Sequence, residues 1–222
     1  MSTGNSLVIR AGPKARAIIA ERGLSPADVS TIPGAAGGPK ALGLNGLDIA
    51  LFADWLPQAP RVRHLVGASV GAWRFASALR ADPRRGLEEL ARLYAAGRYP
   101  PRAGPSFVTR QVRAMLSDLF EGHDDDILAS AAYRLHILAV RGRGPLTTDA
   151  GVRRTLGFGA AAFANLAGRE HLRHFLERTI FHDARERPAF LDDAGIAGNL
   201  LSATGSAPIR FDAFHTHAVP LD

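Results

Sequence analysis

The sequence contains no cysteine, which excludes disulfide bonds and thiol chemistry. It also lacks any run of about 18 consecutive apolar residues, so it predicts no membrane-spanning helix. The N-terminal residues Met1 to Ser6 form neither the cationic region nor the apolar stretch of a secretory signal. We therefore expect a cytoplasmic protein, and we leave open whether it attaches peripherally to a membrane.

Motifs that bind nucleotides and nucleic acids are missing as well. There is no G-x-x-x-x-G-K-[ST] phosphate-binding loop and no G-x-G-x-x-G dinucleotide motif. The arginines are scattered, and the densest group, Arg141 to Gly144, has no interleaved aromatic residues. We expect no nucleic-acid partner, no metal and no organic cofactor. The net charge of +6 indicates a solvated basic surface, which would also suit contact with an anionic membrane surface.

The composition is that of a globular domain. The 222 residues, 46% hydrophobic and 22% charged, suffice for one sizeable buried core. We expect a single domain over residues 1–222, with an N-terminal helical extension over 1–28. Predicted strands alternate with predicted helices, which is typical of an α/β fold with a mostly parallel central sheet flanked by helices. Sites in such sheets form at the carboxyl ends of the strands.

Hydrophobic patterning and turn residues give the predicted element boundaries. The predicted strands are Val29–Ile32, Arg63–Val66, Tyr133–Arg141 and Thr179–His182. The predicted helices are Ala11–Arg22, Ala41–Trp55, Ala72–Arg80, Arg85–Ala95, Arg110–Phe120, Arg153–Leu166, Glu170–Glu177 and Ala194–Ser202, with a further turn over Asp124–Ser130.

The pentapeptide Gly67-Ala68-Ser69-Val70-Gly71 has the G-x-S-x-G pattern and joins a predicted strand to a predicted helix. A serine on such a tight turn has its hydroxyl directed out of the fold, and the flanking glycines let strand and helix approach closely. The pattern and its context predict a nucleophile elbow. An ordinary strand-to-helix turn with a serine N-cap is the alternative.

A second glycine-rich turn lies upstream, where Gly34-Ala35-Ala36-Gly37-Gly38-Pro39-Lys40 also joins a predicted strand to a predicted helix. Backbone N–H groups in such a turn lack partners and suit an anion. The missing phosphate-binding motifs favour the oxyanion of acyl transfer over a phosphate. A helix start without a bound anion is the alternative.

Together these motifs resemble the patatin-like phospholipase family. The resemblance is carried by Ala36 to Lys40, by Gly67 to Gly71 and by Leu200 to Ile209. The third segment is similar to the family's helix that ends in a small-residue A-[ST]-x-[SA]-x-P turn near the active site. The resemblance extends over about Val29 to Asp222. It implies a patatin-like fold and a phospholipase- or lipase-type enzyme that cleaves lipid or other carboxylic esters through a Ser–Asp dyad without a catalytic histidine.

By position, the resemblance implies that Ser69 is the nucleophile and Asp222 its partner. Gly37 and Gly38 would supply the oxyanion N–H groups, and Lys40 would be a contact for an anion or for the substrate. The family's aspartate lies in a D-G-[GA] motif, whereas this sequence ends at Asp222. We therefore expect that the domain is truncated at its C-terminal end. The oligomeric state is not indicated.

Two alternatives remain open at this point. In the first, the chain is an α/β-hydrolase-type esterase with a Ser-His-Asp triad in the order serine, acid, base. Its acid would be Asp192, Asp193 or Asp212, and its base would be His215 or His217. In the second, the chain is a catalytically silent binding protein on the same fold.

Other polar and aromatic groups predict structure more than chemistry. His171, His174 and Glu177 share one face of a predicted helix, which favours a solvated face over a metal site. The acidic run Asp124–Asp126 after His123 is typical of a helix start. The phenylalanines outside the motifs belong either to the core or to a lipid-facing rim: Phe107, Phe158, Phe163, Phe175 and Phe181.

Overall fold

The fold is organised around one β-sheet. The computed structural model describes residues 8–147, 151–186, 188 and 203–208. Within these ranges the sheet has five strands, which lie side by side in chain order. They are β1 (Thr31–Gly34), β2 (Arg63–Ala68), β3 (Tyr133–Gly142), β4 (Leu176–His182) and β5 (Ala203–Pro208).

Strand direction divides the sheet into two parts. β1, β2 and β3 run parallel, β4 is antiparallel to β3, and β5 is parallel to β4. Three of the four described pairings are therefore parallel, which confirms the predicted α/β fold with a mostly parallel sheet. β1, β2 and β3 all end at one end of the sheet, which we call the carboxyl end. β4 and β5 end at the opposite, amino end.

Helices flank the sheet and connect its strands. The α-helices are α1 (Pro13–Arg22), α2 (Asn45–Ile49), α3 (Val70–Ala78), α4 (Pro83–Ala96), α5 (Pro105–Phe120), α6 (Asp124–Leu128) and α7 (Gly151–Ala167). The shorter 3-10 helices are Pro26–Asp28, Gly38–Leu44, Leu56–Gln58, Gly144–Thr147 and Arg169–His174, and a π-helical segment covers Ala50–Trp55. No helix in the described ranges combines the length and the apolar character needed to cross a membrane.

The main hydrophobic core lies between helices α3 to α5 and one face of the sheet. α3 packs on β1, β2 and β3, α4 packs on α3, and α5 packs on α4 and α3. Because side chains alternate along a strand, Leu65, Leu135 and Ile137 all enter this core. Phe75 of α3 and Leu87 of α4 meet them there. Burying each such side chain contributes about 1.5–3 kcal/mol.

The predicted helix Ala41–Trp55 differs from the structure in its helical geometry. The chain is a 3-10 helix up to Leu44, an α-helix over Asn45–Ile49 and a π-helix from Ala50 to Trp55. Glycines in the first half weaken the preference for the α-helix. A nearly continuous apolar stretch predicts a helix, but it does not predict which hydrogen-bond spacing the helix adopts.

The predicted helix Glu170–Glu177 is wrong at its C-terminal end. The chain forms a 3-10 helix over Arg169–His174 and enters β4 at Leu176. The reason is that pairing with β3 outweighs the local pattern. The strand predicted over Thr179–His182 is confirmed as the second half of β4. The predicted helix Ala194–Ser202 lies outside the described residues.

Candidate active site

Ser69 lies at the turn between β2 and α3, where the G-x-S-x-G pattern predicts it. β2 ends at Ala68 and α3 begins at Val70. The backbone of Ser69 has φ 51° and ψ −130°, and within the described ranges no other non-glycine residue has a positive φ. An L-residue held in such a conformation is strained by roughly 1–3 kcal/mol, and strain of this kind concentrates at functional sites.

The hydroxyl of Ser69 does not cap α3. An N-cap serine normally has an extended backbone and accepts a hydrogen bond from an N–H group of the first turn. Ser69 occupies the N-cap position, but its side chain makes no capping hydrogen bond. Its carbonyl oxygen begins the helix by accepting from the N–H groups of Ala72 and Trp73. The nucleophile-elbow hypothesis therefore accounts for this geometry better than the N-cap alternative does.

The two glycines of the motif allow close backbone packing. A Cβ atom at Gly67 would lie 2.6 Å from the nitrogen of Ala72. A Cβ atom at Gly71 would lie 2.6 Å from the carbonyl carbon of Gly34, at the end of β1. Both distances are far inside van der Waals contact, so a side chain at either position would push the elements apart. Gly71 therefore lets the end of β1 pack directly against the first turn of α3.

The glycine-rich turn begins at this contact. β1 and β2 are parallel neighbours with Gly34 opposite Gly67, so the turns that follow them leave the sheet at the same end. Gly37 precedes a 3-10 helix that starts at Gly38, whose φ is 53°. Gly37 and Lys40 are exposed, and Gly38 is half-buried. The structure thus brings the two glycine motifs together at the carboxyl end of the sheet.

The backbone N–H of Val70 is a further candidate oxyanion donor, which our sequence reasoning missed. Val70 is the first residue of α3. N–H groups in a first helical turn have no intrahelical acceptor, and they form the positive end of the helix dipole. The motif itself carried the signal, because the residue after the serine of a nucleophile elbow supplies such a donor.

A buried ion pair joins the helices that follow the two turns. Arg74 of α3 donates from two nitrogens to both carboxylate oxygens of Asp48 in α2, and little of either side chain is exposed. This two-pronged geometry fixes orientation as well as distance. The pair therefore holds α2, which follows the glycine-rich turn, against α3, which follows Ser69. Our sequence reasoning missed it because an isolated acid or base in an apolar stretch does not reveal its partner.

Tyr94 of α4 lies close to both turns. Its ring contacts that of Trp73 in α3, with centroids 6.0 Å apart, and its hydroxyl would lie 3.8 Å from a Cβ atom built at Gly38. Burial, with a smaller contribution from Tyr99, raises the pKa of Tyr94. The phenol is therefore protonated at neutral pH and can donate a hydrogen bond near the glycine-rich turn.

The candidate bases lie outside the described residues. This holds for Asp222 of the dyad and for the acids and bases of the alternative triad, which are Asp192, Asp193, Asp212, His215 and His217. The structure therefore leaves the choice between dyad and triad as a prediction.

The small-residue segment expected as a turn near the active site, Ala203–Pro208, is strand β5 in the structure. β3 and β4 lie between β5 and β2, so three strand spacings, or about 14 Å across the sheet, separate β5 from β2. The 14 residues from 209 to 222 can span up to roughly 46 Å when extended. The position of β5 therefore does not prevent Asp222 from reaching Ser69.

Two histidines form a polar cluster towards the amino end of the sheet. His64 of β2 and His136 of β3 stack with ring centroids 5.2 Å apart, and His64 Nδ1 lies 3.0 Å from His136 Nε2. Burial, reinforced by His64, lowers the pKa of His136 to about 4, so His136 is neutral at pH 7. The N–H of Asp183 donates to His136 Nδ1, which places the ring proton on Nε2 and directs it to His64. His64 in turn presents Nε2 to Glu186, 3.6 Å away.

This histidine cluster is separate from the candidate active site. Five residue steps along β2 lie between His64 and Ser69, a distance of about 16 Å. Burial tends to raise the pKa of Asp183, but hydrogen bonds from Arg185 outweigh it and hold the pKa below its usual value. The negative charge of Asp183 is thus neutralised by Arg185. At this distance from the turn, neither His64 nor His136 is placed to act as a base for Ser69.

The other polar groups noted in the sequence stabilise the fold and, among the described residues, do not form a further site. Glu177 does not share a helix face with His171 and His174, because it lies on β4 and pairs with Arg143. The acidic run Asp124–Asp126 occupies the first turn of α6, as predicted. Within the described part of the chain, no group of three or more potential metal ligands comes together.

Comparison with known protein families, curated proteins and solved structures found no match for this chain. The resemblance to the patatin-like family therefore rests on the sequence motifs alone, and the third of these forms strand β5 rather than the expected turn.

Proposed function

We propose that this protein is a patatin-like serine acyl hydrolase that cleaves carboxylic esters of lipids, with Ser69 as its nucleophile. The observation that carries the proposal is the strained backbone of Ser69 at a strand-to-helix turn. Glycine would adopt this conformation without strain. The chain instead has a hydroxyl there that does not cap the helix, which is the arrangement a nucleophile elbow requires.

In the proposed reaction, Ser69 Oγ attacks the ester carbonyl carbon while the hydroxyl proton passes to a base. The carbonyl oxygen becomes an oxyanion, which the backbone N–H groups of Val70, Gly37 and Gly38 would stabilise. Loss of one such donor typically costs about 3–4 kcal/mol. Collapse of the intermediate breaks the ester C–O bond, and the base returns the proton to the leaving alcohol. Water then hydrolyses the acyl-serine by the same sequence of steps.

Asp222 is the proposed base, by resemblance to the patatin-like family. A carboxylate can take the serine proton if burial raises its pKa towards the working pH. A Ser-His-Asp triad with His215 or His217 as the base is the second mechanism. The positions of His64 and His136, towards the amino end of the sheet, leave those two histidines out of both mechanisms.

A fluorophosphonate probe tests the proposal, because it labels serines that are activated as nucleophiles. We expect one label per chain, located at Ser69 by peptide mapping, and none on Ser69→Ala. Hydrolysis of short p-nitrophenyl esters should disappear in the same variant. Ser106→Ala changes an exposed serine of α5 and serves as the control that keeps both signals. A folded parent chain that is neither labelled nor active would contradict the proposal and favour a silent binding protein.

A further inference from the structure

Helix α7 exposes its large apolar side chains. Val152, Leu156, Phe163 and Leu166 are 76%, 68%, 79% and 82% exposed. Their spacing places all four on one face of the helix, and we call this set the α7 stripe. Monomeric soluble proteins rarely expose a large contiguous apolar patch, and such patches usually mark a binding surface.

The same helix turns small residues towards the protein. Gly157 and Ala161 are buried, and a Cβ atom at Gly157 would lie 2.8 Å from the side chain of Leu146. The extensive contacts of α7 within the described residues are with the 3-10 helices Gly144–Thr147 and Arg169–His174. An ordinary surface helix buries its large apolar residues and exposes polar ones. In α7 this arrangement is reversed, because the close approach at Gly157 directs the stripe outwards.

The charges next to the stripe favour a negatively charged partner. The described helix contains no acidic residue, and Arg153 is exposed in its first turn. Two further exposed arginines, Arg169 and Arg173, follow its C-terminal end, with one acidic residue, Glu170, between them in the sequence. An apolar helix face flanked by arginines is typical of helices that lie in the headgroup region of an anionic bilayer.

The position of α7 in the fold relates this surface to the candidate active site. β3 ends at Gly142 at the carboxyl end of the sheet, and β4 starts beside it at Leu176. The segment that contains α7 therefore begins and ends at the same end of the sheet as the turn at Ser69. The stripe from Val152 to Leu166 is about 21 Å long, which suits a helix lying along a membrane surface.

We propose that the α7 stripe docks this protein onto a membrane surface that contains anionic lipid. The apolar side chains enter the boundary between headgroups and acyl chains, and the flanking arginines contact the headgroups. The proposal depends on α7 alone and does not require Ser69 to be a nucleophile.

Vesicle flotation with the full chain tests this proposal. We expect binding to vesicles of phosphatidylglycerol and phosphatidylcholine, and much weaker binding to phosphatidylcholine alone. The double variant Phe163→Ser/Leu166→Ser should bind the anionic vesicles at least about tenfold more weakly. Val8→Ser/Ile9→Ser removes two exposed apolar side chains elsewhere and should bind like the parent. Equal binding of parent and α7 variant, or no binding by the parent, would overturn the proposal.

A second measurement does not depend on the double variant folding. Because the chain has no cysteine, Leu166→Cys provides one attachment point for an environment-sensitive fluorophore. We expect its emission to shift to the blue when anionic vesicles are added. An emission that is already blue and does not change with vesicles would show that the chain or a second copy covers the stripe. Light scattering then separates those two outcomes, and either one contradicts membrane docking.

Discussion

Replacing Ser69 with glycine should yield a protein that is inactive but more stable than the corresponding alanine variant. Neither variant has the hydroxyl, so the pair differs only by the Cβ atom. At φ 51° and ψ −130° that atom is responsible for the strain, roughly 1–3 kcal/mol. Glycine loses more backbone entropy on folding than alanine does, and this loss offsets about 0.5–1 kcal/mol of the strain energy that removing the Cβ atom releases. The net expectation is that Ser69→Gly is about 1 kcal/mol more stable than Ser69→Ala.

Urea and thermal unfolding measure this difference. For a chain of this length, 1 kcal/mol corresponds to a shift in the unfolding midpoint of about 3 °C. A matched pair within helix α5, Ser117→Gly and Ser117→Ala, serves as the control. At that helical position alanine should be more stable than glycine by up to about 1 kcal/mol. The order of stability should therefore reverse between the two sites.

If alanine were more stable than glycine at position 69, as it should be at position 117, the assignment of backbone strain to Ser69 would be refuted. If Ser69→Ala were as stable as Ser69→Gly, the backbone at Ser69 would not be strained in solution. The argument for a nucleophile elbow would then lose the observation on which it depends.

Three further predictions concern the buried ion pair, the histidine cluster and the base. Asp48→Asn should lower the free energy of unfolding by about 3–5 kcal/mol in urea titrations, because it leaves its arginine partner buried without a counter-charge. The pKa of His136 falls from 6.5 in the unfolded chain to about 4 in the fold, so only the unfolded chain takes up this proton as the pH drops. The free energy of unfolding should therefore fall by about 3 kcal/mol between pH 6.5 and pH 4, and this loss should be absent in His136→Gln. If the free energies of unfolding of the parent and of His136→Gln fell equally over this pH range, the shifted pKa of His136 would be contradicted. Asp222→Asn should lower ester turnover at least about a hundredfold, whereas His215→Ala and His217→Ala should each keep substantial turnover. Loss of turnover in one of the histidine variants, with turnover retained in Asp222→Asn, would instead establish the triad.

The elements around Ser69 could be predicted because their signals are local. An apolar run, a glycine–serine turn and a helical stretch follow one another over residues 63–78, and the structure places β2, Ser69 and α3 there. The predicted strand Val29–Ile32 is shifted by two residues, to Thr31–Gly34. The shift follows the register with β2, because Gly34 must lie opposite Gly67 for the two turns to meet.

Features that depend on distant parts of the chain could not be predicted. β4 pairs with β3 from Leu176 to Phe181, and its first residues also suit a helix when read locally. The partner of Asp48 is Arg74, on another helix, and no periodicity indicates that pairing. The sequence left Phe158 and Phe163 of α7 open between the core and a lipid-facing rim, and the structure exposes both side chains. The apolar pattern of a helix does not by itself indicate which of its faces meets the rest of the protein.

The contact between His64 and His136 also favours the observed alignment of β2 with β3. His64 lies opposite Arg134 and Val66 lies opposite His136, on the sheet face away from the core formed with α3 to α5. A slip of one residue would turn His64 into that core and leave His136 buried without its partner. An unpaired buried polar group costs about 1–3 kcal/mol, so this shifted register is penalised beyond the loss of Leu65 from the core. The histidine pair therefore adds to the free-energy difference between the observed register of β2 with β3 and a register shifted by one residue.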